Sequence, residues 1–478
     1  MTKLKIKNKI MIINPRTHEA YKLLHEGTLA LIRAEQHGIR VDLDYIRRKK
    51  PHITRRIERM EKIFYNTKFY KRWQYSTNST ININSNAQLA YYLYTVRKLK
   101  PVKFTETGQG STDEETLKQL NIPELDMILE MRKLKKIRDT YLSSFEREQV
   151  KGVIHPFFNL HLVRTFRSSS DSPNFQNLPK RDEEAMQMCR KALYPSKGNQ
   201  LLEIDFSGIE VRVSACYHKD ENMINYINNP TSDMHADIAK QIFGFDKIDK
   251  SIPSHNVMRQ AAKNGFVFPQ FYGDYYKNCA INIAEWVKLP QRRWKTNEGI
   301  ILNETDKGTK EYISNHLLCR SILSFDEFVD HIKEIENDFW NNRFYEYNQW
   351  KIDWYHTYQK YGYFVMKTGF HCSGVMGKND VINYPVQGAA FHCLLWSLIE
   401  IDKMMIKENW RTQIVGQIHD SLIFDVYPKE LDMVKERVKE ITCILLPKTW
   451  DWIIVPLNIE AEICPIDASW ADREKCLI

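Results

Sequence analysis

The sequence predicts an α+β fold, and three observations carry that expectation. Two β signals, LLEIDF at 201–206 and QIVGQIHDSLIFDV at 413–426, stand far apart in the chain. Long helical stretches, 326–360 and 385–407 among them, fill the interval, the pattern of an α+β catalytic core with large insertions. The 478 residues also exceed what one ordinary core holds, and roughly two to four structural units are expected.

In the first strand signal, Leu202, Ile204 and Phe206 alternate with Leu201, Glu203 and Asp205, so Asp205 points away from the Ile204 face. In the second, two apolar arms flank His419-Asp420, which sit where a hairpin turn belongs. An Asp on a sheet face and an Asp at a hairpin tip meet if their strands are neighbours. Two such carboxylates can hold a pair of Mg²⁺ ions about 4 Å apart, one activating an attacking hydroxyl and one neutralising a departing pyrophosphate. Oxygen ligands suit this hard cation. Either Asp alone also fits a surface or turn residue. Asp205 stands out because an unpaired charge within an apolar strand is costly to bury.

Before these strands, residues 1–20 read as a lead-in. From Gly27 to about Tyr65 the pattern is helical, with interruptions expected at Gly38 and Pro51. Arg47, Arg48, Lys49, Lys50, Arg55, Arg56 and Arg59 crowd this stretch. The segment 76–112 is polar and turn-rich, and helical character returns at 112–150 with Arg132, Lys133, Lys135, Lys136 and Arg138. Net charge is +9, but residues 1–100 hold 22 Lys and Arg against 7 Asp and Glu, leaving a mildly acidic remainder. That asymmetry suits a polyanion partner or a solvated basic face. Nine cysteines without a CxxC pair argue against a disulfide framework or zinc knuckle and for a reducing compartment. No apolar run reaches membrane-spanning length and no signal-peptide core follows the basic N-terminus, so a soluble, cytoplasmic protein without a membrane partner is expected.

At the strand signals the chain resembles a known family. DFSGIEVRVSA at 205–215 is similar to the first palm motif of the family A DNA polymerases, the bacterial repair-polymerase and phage-replicase type. RQAAKNGFVFPQFYG at 259–273 resembles their fingers helix, and QIHDSLIFD at 417–425 their palm hairpin. RTFRSSSDSPNFQNLPKR at 164–181 looks like the primer-template segment, DMHADIA at 233–239 like the fingers histidine segment, and NYPVQGAA at 383–390 like the QG helix. EGTLALIRAEQHGIRVD at 26–42 is similar to the start of the polymerase domain. Each block is short, but their common order over nearly the whole chain is specific.

The resemblance implies a right hand of palm, fingers and thumb: lead-in and domain start at 1–42, thumb at 43–150, palm at 151–220 and 380–478, and fingers at 221–379. It implies phage-type, template-directed addition of deoxynucleoside triphosphates to a primer end, in the host cytoplasm if the gene is a phage's. Asp205 and Asp420 become ligands of two Mg²⁺ ions, helped by the Phe206 carbonyl. Arg259 and Lys263, at i and i+4 on one helix face, grip the triphosphate, and His235 and Arg181 add donors to it. Glu210 closes the space beside the sugar 2′ position. Tyr272 and Phe268 form the nucleotide wall, with Phe266 and Phe271 as alternatives to Phe268. Arg167, Asn174, Gln176, Gln387, Asn383 and His419 meet the primer-template, where side chains of this kind can use minor-groove acceptors common to all base pairs.

The chain also departs from that pattern. The fingers segment is one residue longer than usual and carries Gly265 and Pro269, which predicts a bulge or kink between Lys263 and Tyr272. Ser421 follows Asp420 where many relatives have glutamate, implying altered metal affinity or fidelity, and Asn379 stands where arginine is common. The polar stretch 285–325 reads as a surface insertion. Only some 25 residues precede the match, so no exonuclease domain is expected in this chain, and a separate 3′–5′ exonuclease protein and a helicase or primase are expected partners. Two other readings fit parts of the pattern: a single-subunit RNA polymerase, which Glu210 disfavours, and an inactive DNA-binding accessory, which the presence of both Asp residues disfavours.

Overall fold

A computed structural model describes residues 2–77, 80–101, 104–105, 108–180, 182–304 and 308–478, with side chains from residue 17 onward. The two distant strand signals lie edge to edge in it. Gln200–Phe206 pairs antiparallel with Ser421–Val426, which pairs with Gln413–Ile418, and on its other side with Ile459–Ile463, which carries Glu474–Cys476 at the far edge. Ser421 stands opposite Asp205 and Leu422 opposite Ile204.

The pleat sorts side chains as the alternation requires. Leu202, Ile204, Phe206, Leu422 and Phe424 enter the larger core, whereas Leu201, Ile423, Val415 and Ile418 enter a second core with Phe175 and Trp470. Each fully buried aliphatic or aromatic side chain contributes about 2 kcal/mol. The sheet is therefore apolar on both faces, and its polar residues gather at the Asp205 end and around Glu203.

The first face is covered by the 31-residue helix Lys378–Glu408 and by Thr2–His37. Gly388 sets one close approach, because a Cβ there would lie 2.5 Å from the Thr165 carbonyl oxygen. This seats the 383–390 segment directly on the 164–181 segment. Arg33 bonds Asp402 through Nε at 2.9 Å, tying the two long helices together.

Four expectations are corrected. Residues 2–20 are not a lead-in set apart from the helical stretch but the beginning of the helix that ends at His37 before Gly38, whose φ is +69°. Pro51 does not interrupt the next helix, Leu43–Tyr65, because the buried stripe Ile46, Ile53, Ile57 and Phe64 fixes it across that turn. Within 76–112 the chain forms Asn86–Ala90 and the π-helix Tyr91–Val96, which send Leu89, Tyr92 and Leu93 into a third core with Trp73, Leu125 and Ile128. Its polarity hid those few apolar anchors. Finally, 285–325 is not only surface: Val287, Leu289, Trp294, Ile313 and Leu317 are buried beneath a hairpin, Ile301–Glu304 with Lys310–Tyr312.

Among the described residues no helix is long and apolar enough to cross a membrane. All nine cysteines are free thiols. The basic stretch is partly self-neutralised, with Lys50 on Glu146 and Arg56 on Glu130, each at 2.7 Å.

Candidate active site

The strand Gln200–Phe206 and the hairpin turn at His419-Asp420 finish at the same edge of the sheet. The Phe206 amide donates to the Asp420 carbonyl at 3.1 Å, which locks the turn beside the strand end. His419 has φ +50°, so the turn uses a left-handed residue to aim the following Asp. Burial pushes the Asp420 carboxyl up to about 6; Glu210 and Asp205 push the same way, while Arg167 and Lys180 oppose them. Burial likewise raises Asp205, against Lys180 at 3.4 Å. The Asp420 Oδ1 accepts no hydrogen bond, and the Arg167 guanidinium stands 3.6 Å from it. Two carboxylates with rising proton affinity and an unpaired oxygen form an electrostatic well for added positive charge. No group of three or more His, Cys, Asp or Glu side chains suited to a metal exists among the described residues.

Just past Asp205, Gly208 opens the helix Ile209–His218, and Glu210 lies in its first turn. Its carboxylate accepts from the Tyr272 hydroxyl at 2.6 Å and from Arg167 at 3.2 Å. One pocket is lined by Glu210, Phe268, Phe271, Tyr272, Asn383 and Gln387, among others. The pocket thus brings together residues from three separate motifs, and Arg167 joins a fourth to it through Glu210.

The fingers helix is irregular where the extra residue sits. Pro253–Ala262 runs into the π-helix Lys263–Val267, then Phe268–Phe271 resumes α geometry with Pro269 in its first turn. The wider turn absorbs the added residue. Phe266 is fully buried against Phe339, and Phe271 packs on Trp340 and Tyr347 while its edge reaches the pocket. Phe268 lies under Lys263, whose ammonium is 5.3 Å from the ring centroid, and meets His235 edge-on. Burial, then Lys263 and Arg259, hold the His235 imidazole down to about 4, so it is neutral near pH 7. Arg259 is fixed by Asp233 at 2.8 Å.

The remaining sequence-predicted residues fall into different settings. Gln176 donates to Gln417 at 2.8 Å, beneath the hairpin. The Asn174 side-chain Oδ1 accepts from the Asn177 backbone amide at 3.1 Å, holding its own loop. His419 borders the carboxylates, and burial with Arg167 lowers its proton affinity. Arg181 lies outside the described residues. Its neighbour Lys180, which the motif reading passed over, is the cation that reaches Asp205. Glu203 and Glu460 were also missed; Glu460 stands opposite Asp205 in the sheet and accepts from Ser207 at 3.1 Å.

The family model for DNA polymerase family A matches residues 44–290 and 373–472. The chain belongs to DNA polymerase family A. Among relatives, DNA polymerase I of Lactococcus lactis subsp. lactis is 29% identical over 362 residues, covering 75% of this chain and 37% of that protein. DNA polymerase I of Bacillus subtilis is 25% identical over 456 residues, covering 94% and 45%. This family A chain therefore spans less than half the length of these curated relatives. A solved structure titled the POL domain of Pol1 from M. smegmatis in complex with DNA primer-template and dNTP superposes with a TM-score of 0.70 at 22% identity, covering 94% of this chain and 70% of that one. The fold is thus the palm, fingers and thumb arrangement. The family match leaves out 291–372, a longer stretch than the insertion expected at 285–325.

Proposed function

We propose that the chain is a template-directed DNA polymerase that extends a primer 3′ end from deoxynucleoside triphosphates with two Mg²⁺ ions. The observation that carries this reading is the Asp205–Asp420 edge opening beside a pocket walled by Glu210, Tyr272 and Phe268. Acceptor-only carboxylates at a well of negative potential fit a hard divalent cation. Asp205 and Asp420, with the Phe206 carbonyl, would hold it. When bound, Mg²⁺ supplies a lowered pKa for the attacking hydroxyl and charge neutralisation for the departing pyrophosphate.

The chain's own residues do the positioning. Arg259 and Lys263 offer two fixed cations to the triphosphate, and neutral His235 offers a ring N–H. Phe268 and Tyr272 give the base and sugar an apolar wall. Glu210, held by Tyr272 and Arg167, fills the space at the sugar 2′ side and rejects a ribose hydroxyl. Asn383 and Gln387 face the same pocket from the long helix, within reach of the nascent pair's minor groove. Arg167 and Lys180 occupy the carboxylates' field until substrate and cation arrive. The thumb, fingers and palm boundaries are proposed as the resemblance gave them, and the stretch 291–372 outside the family match falls within the fingers at 221–379.

The decisive experiment is primer extension on a primed template with Mg²⁺. Asp205→Ala and Asp420→Ala are each expected to abolish extension while primer-template binding persists. Substantial extension by either variant overturns the assignment.

A further inference from the structure

Ser421 is fully buried, and its hydroxyl faces two acceptors: the Ile418 carbonyl at 2.9 Å and the Glu203 carboxylate at 3.3 Å. The first closes the hairpin turn that carries Asp420. The second links that turn to a charged cluster below the sheet. Glu203 shares its strand face with Asp205, two residues on, and Ser421 is Asp205's cross-strand partner. A diagonal neighbour on one sheet face lies within reach of a long side chain but not a short one, so glutamate spans the gap to serine.

Glu203 is itself held rigidly. Its Oε2 accepts from Arg190 at 3.0 Å, from the Trp470 indole at 3.1 Å and from Arg473 at 3.3 Å. Arg190 is nine-tenths buried or more and stacks 4.2 Å over Trp470, while Arg473 also pairs with Glu462 at 2.5 Å. Such a cluster is weak as a stabilising device, because well-packed apolar residues often serve as well or better. Its Oε1, left free by those three donors, is aimed at Ser421.

We infer that Glu203 is a positioning residue for the second metal-binding carboxylate: clamped by Arg190, Arg473 and Trp470, it fixes the Ser421 hydroxyl and thereby the turn that presents Asp420. The inference rests on the reading of Asp205 and Asp420 as metal ligands. Groups that orient metal ligands typically change metal affinity or activity about 10–100-fold when removed.

The test compares Ser421→Ala, Ser421→Thr and Asp420→Ala in the full chain bound to a dideoxy-terminated primer-template and the next nucleotide. Mn²⁺ binding is followed by the loss of the free-ion electron paramagnetic resonance signal. Melting temperature and primer-template affinity are measured in parallel. Ser421→Ala is expected to weaken Mn²⁺ binding about tenfold, with DNA affinity unchanged and melting temperature lowered by the lost buried hydrogen bond, and Ser421→Thr, which keeps the hydroxyl, to restore both. Glu203→Gln is expected to weaken Mn²⁺ binding at least as much, if it folds. The inference is overturned if Asp420→Ala loses Mn²⁺ while Ser421→Ala binds it normally, or if threonine is as impaired as alanine. If Asp420→Ala itself binds Mn²⁺ normally, the metal-ligand reading fails instead, and this inference with it.

Discussion

The Tyr272 hydroxyl donates to the Glu210 carboxylate at 2.6 Å, joining the end of the fingers helix to the first palm helix across the pocket. Burial and the Glu210 charge both raise the Tyr272 phenol, so it stays protonated and remains a donor throughout the working pH range. In the proposed function this bond holds Glu210 against the sugar position. Glu210→Ala is expected to lower discrimination between deoxy- and ribonucleotides by at least about tenfold, since the space it fills opens. Tyr272→Phe removes only the bond and is expected to lower it less. Competitive incorporation on one template measures both, and unchanged sugar selectivity in Glu210→Ala removes the gate from the reading.

Arg259 and Lys263 are expected to act on the triphosphate, so Lys263→Ala should reduce the extension rate about 10²–10³-fold. Arg259 offers a subtler check. Although burial opposes it, Arg259 and Lys250 hold the Asp233 carboxyl down to about 2. Asp233→Asn frees the guanidinium from its charged anchor. Its expected effect is a rise of about tenfold or more in KM for the nucleotide with a smaller change in kcat, as one lost charge-assisted bond of about 1.5–3 kcal/mol implies. Single-nucleotide steady-state kinetics separates the two constants.

The Asp420 carboxyl, raised to about 6, gives a pH dependence with a definite sign. In the proposed mechanism its charged form binds the cation, so extension is expected to fall as pH drops through about 6. Raising Mg²⁺ should move that midpoint lower, because cation and proton compete for one carboxylate. Without metal the sign for stability is opposite. A carboxyl whose folded pKa exceeds its ordinary value destabilises the fold increasingly as pH rises from that ordinary value through about 6. In EDTA, Asp420→Asn should therefore melt higher than the parent at pH 7 and lose that advantage near pH 4. A pH-independent difference between the two would reject the shifted carboxyl.

The alternation in LLEIDF was enough to place Asp205 and Glu203 on one face, and the hairpin arms were enough to place Asp420 in a turn. Periodicity could not say that Ser421 faces Asp205, because register between strands so far apart is set by the whole sheet rather than by either segment. The motif order supplied that adjacency. What stayed hidden was the setting of individual groups. Nothing local marks Lys180 as a partner of Asp205; the loop's path brings it there. Glu203 read as an ordinary alternating polar residue, since nothing local signals Arg190, Arg473 and Trp470 converging on it. Pro51 shows the reverse error: a local breaker was outweighed by a buried stripe of isoleucines.

Gly265 lies inside the π-helix, and a Cβ there would meet the Ile283 Cγ1 at 2.9 Å and the Ile283 amide nitrogen at 3.1 Å. The wide turn and the missing side chain therefore work together: one takes up the extra residue, the other lets that turn lie flat on the helix Tyr276–Trp286. Gly265→Ala must push the two helices apart, at an expected cost of about 1–3 kcal/mol in stability for overpacking. Because Lys263 and Phe268 flank the turn, the same shift should raise KM for the nucleotide while leaving primer-template affinity intact. Ile283→Ala removes the nearer of the two clashes but not the one with backbone, so the double variant should recover part of the melting temperature rather than all of it. Purely additive losses in the double variant would show that Gly265 does not act through this contact.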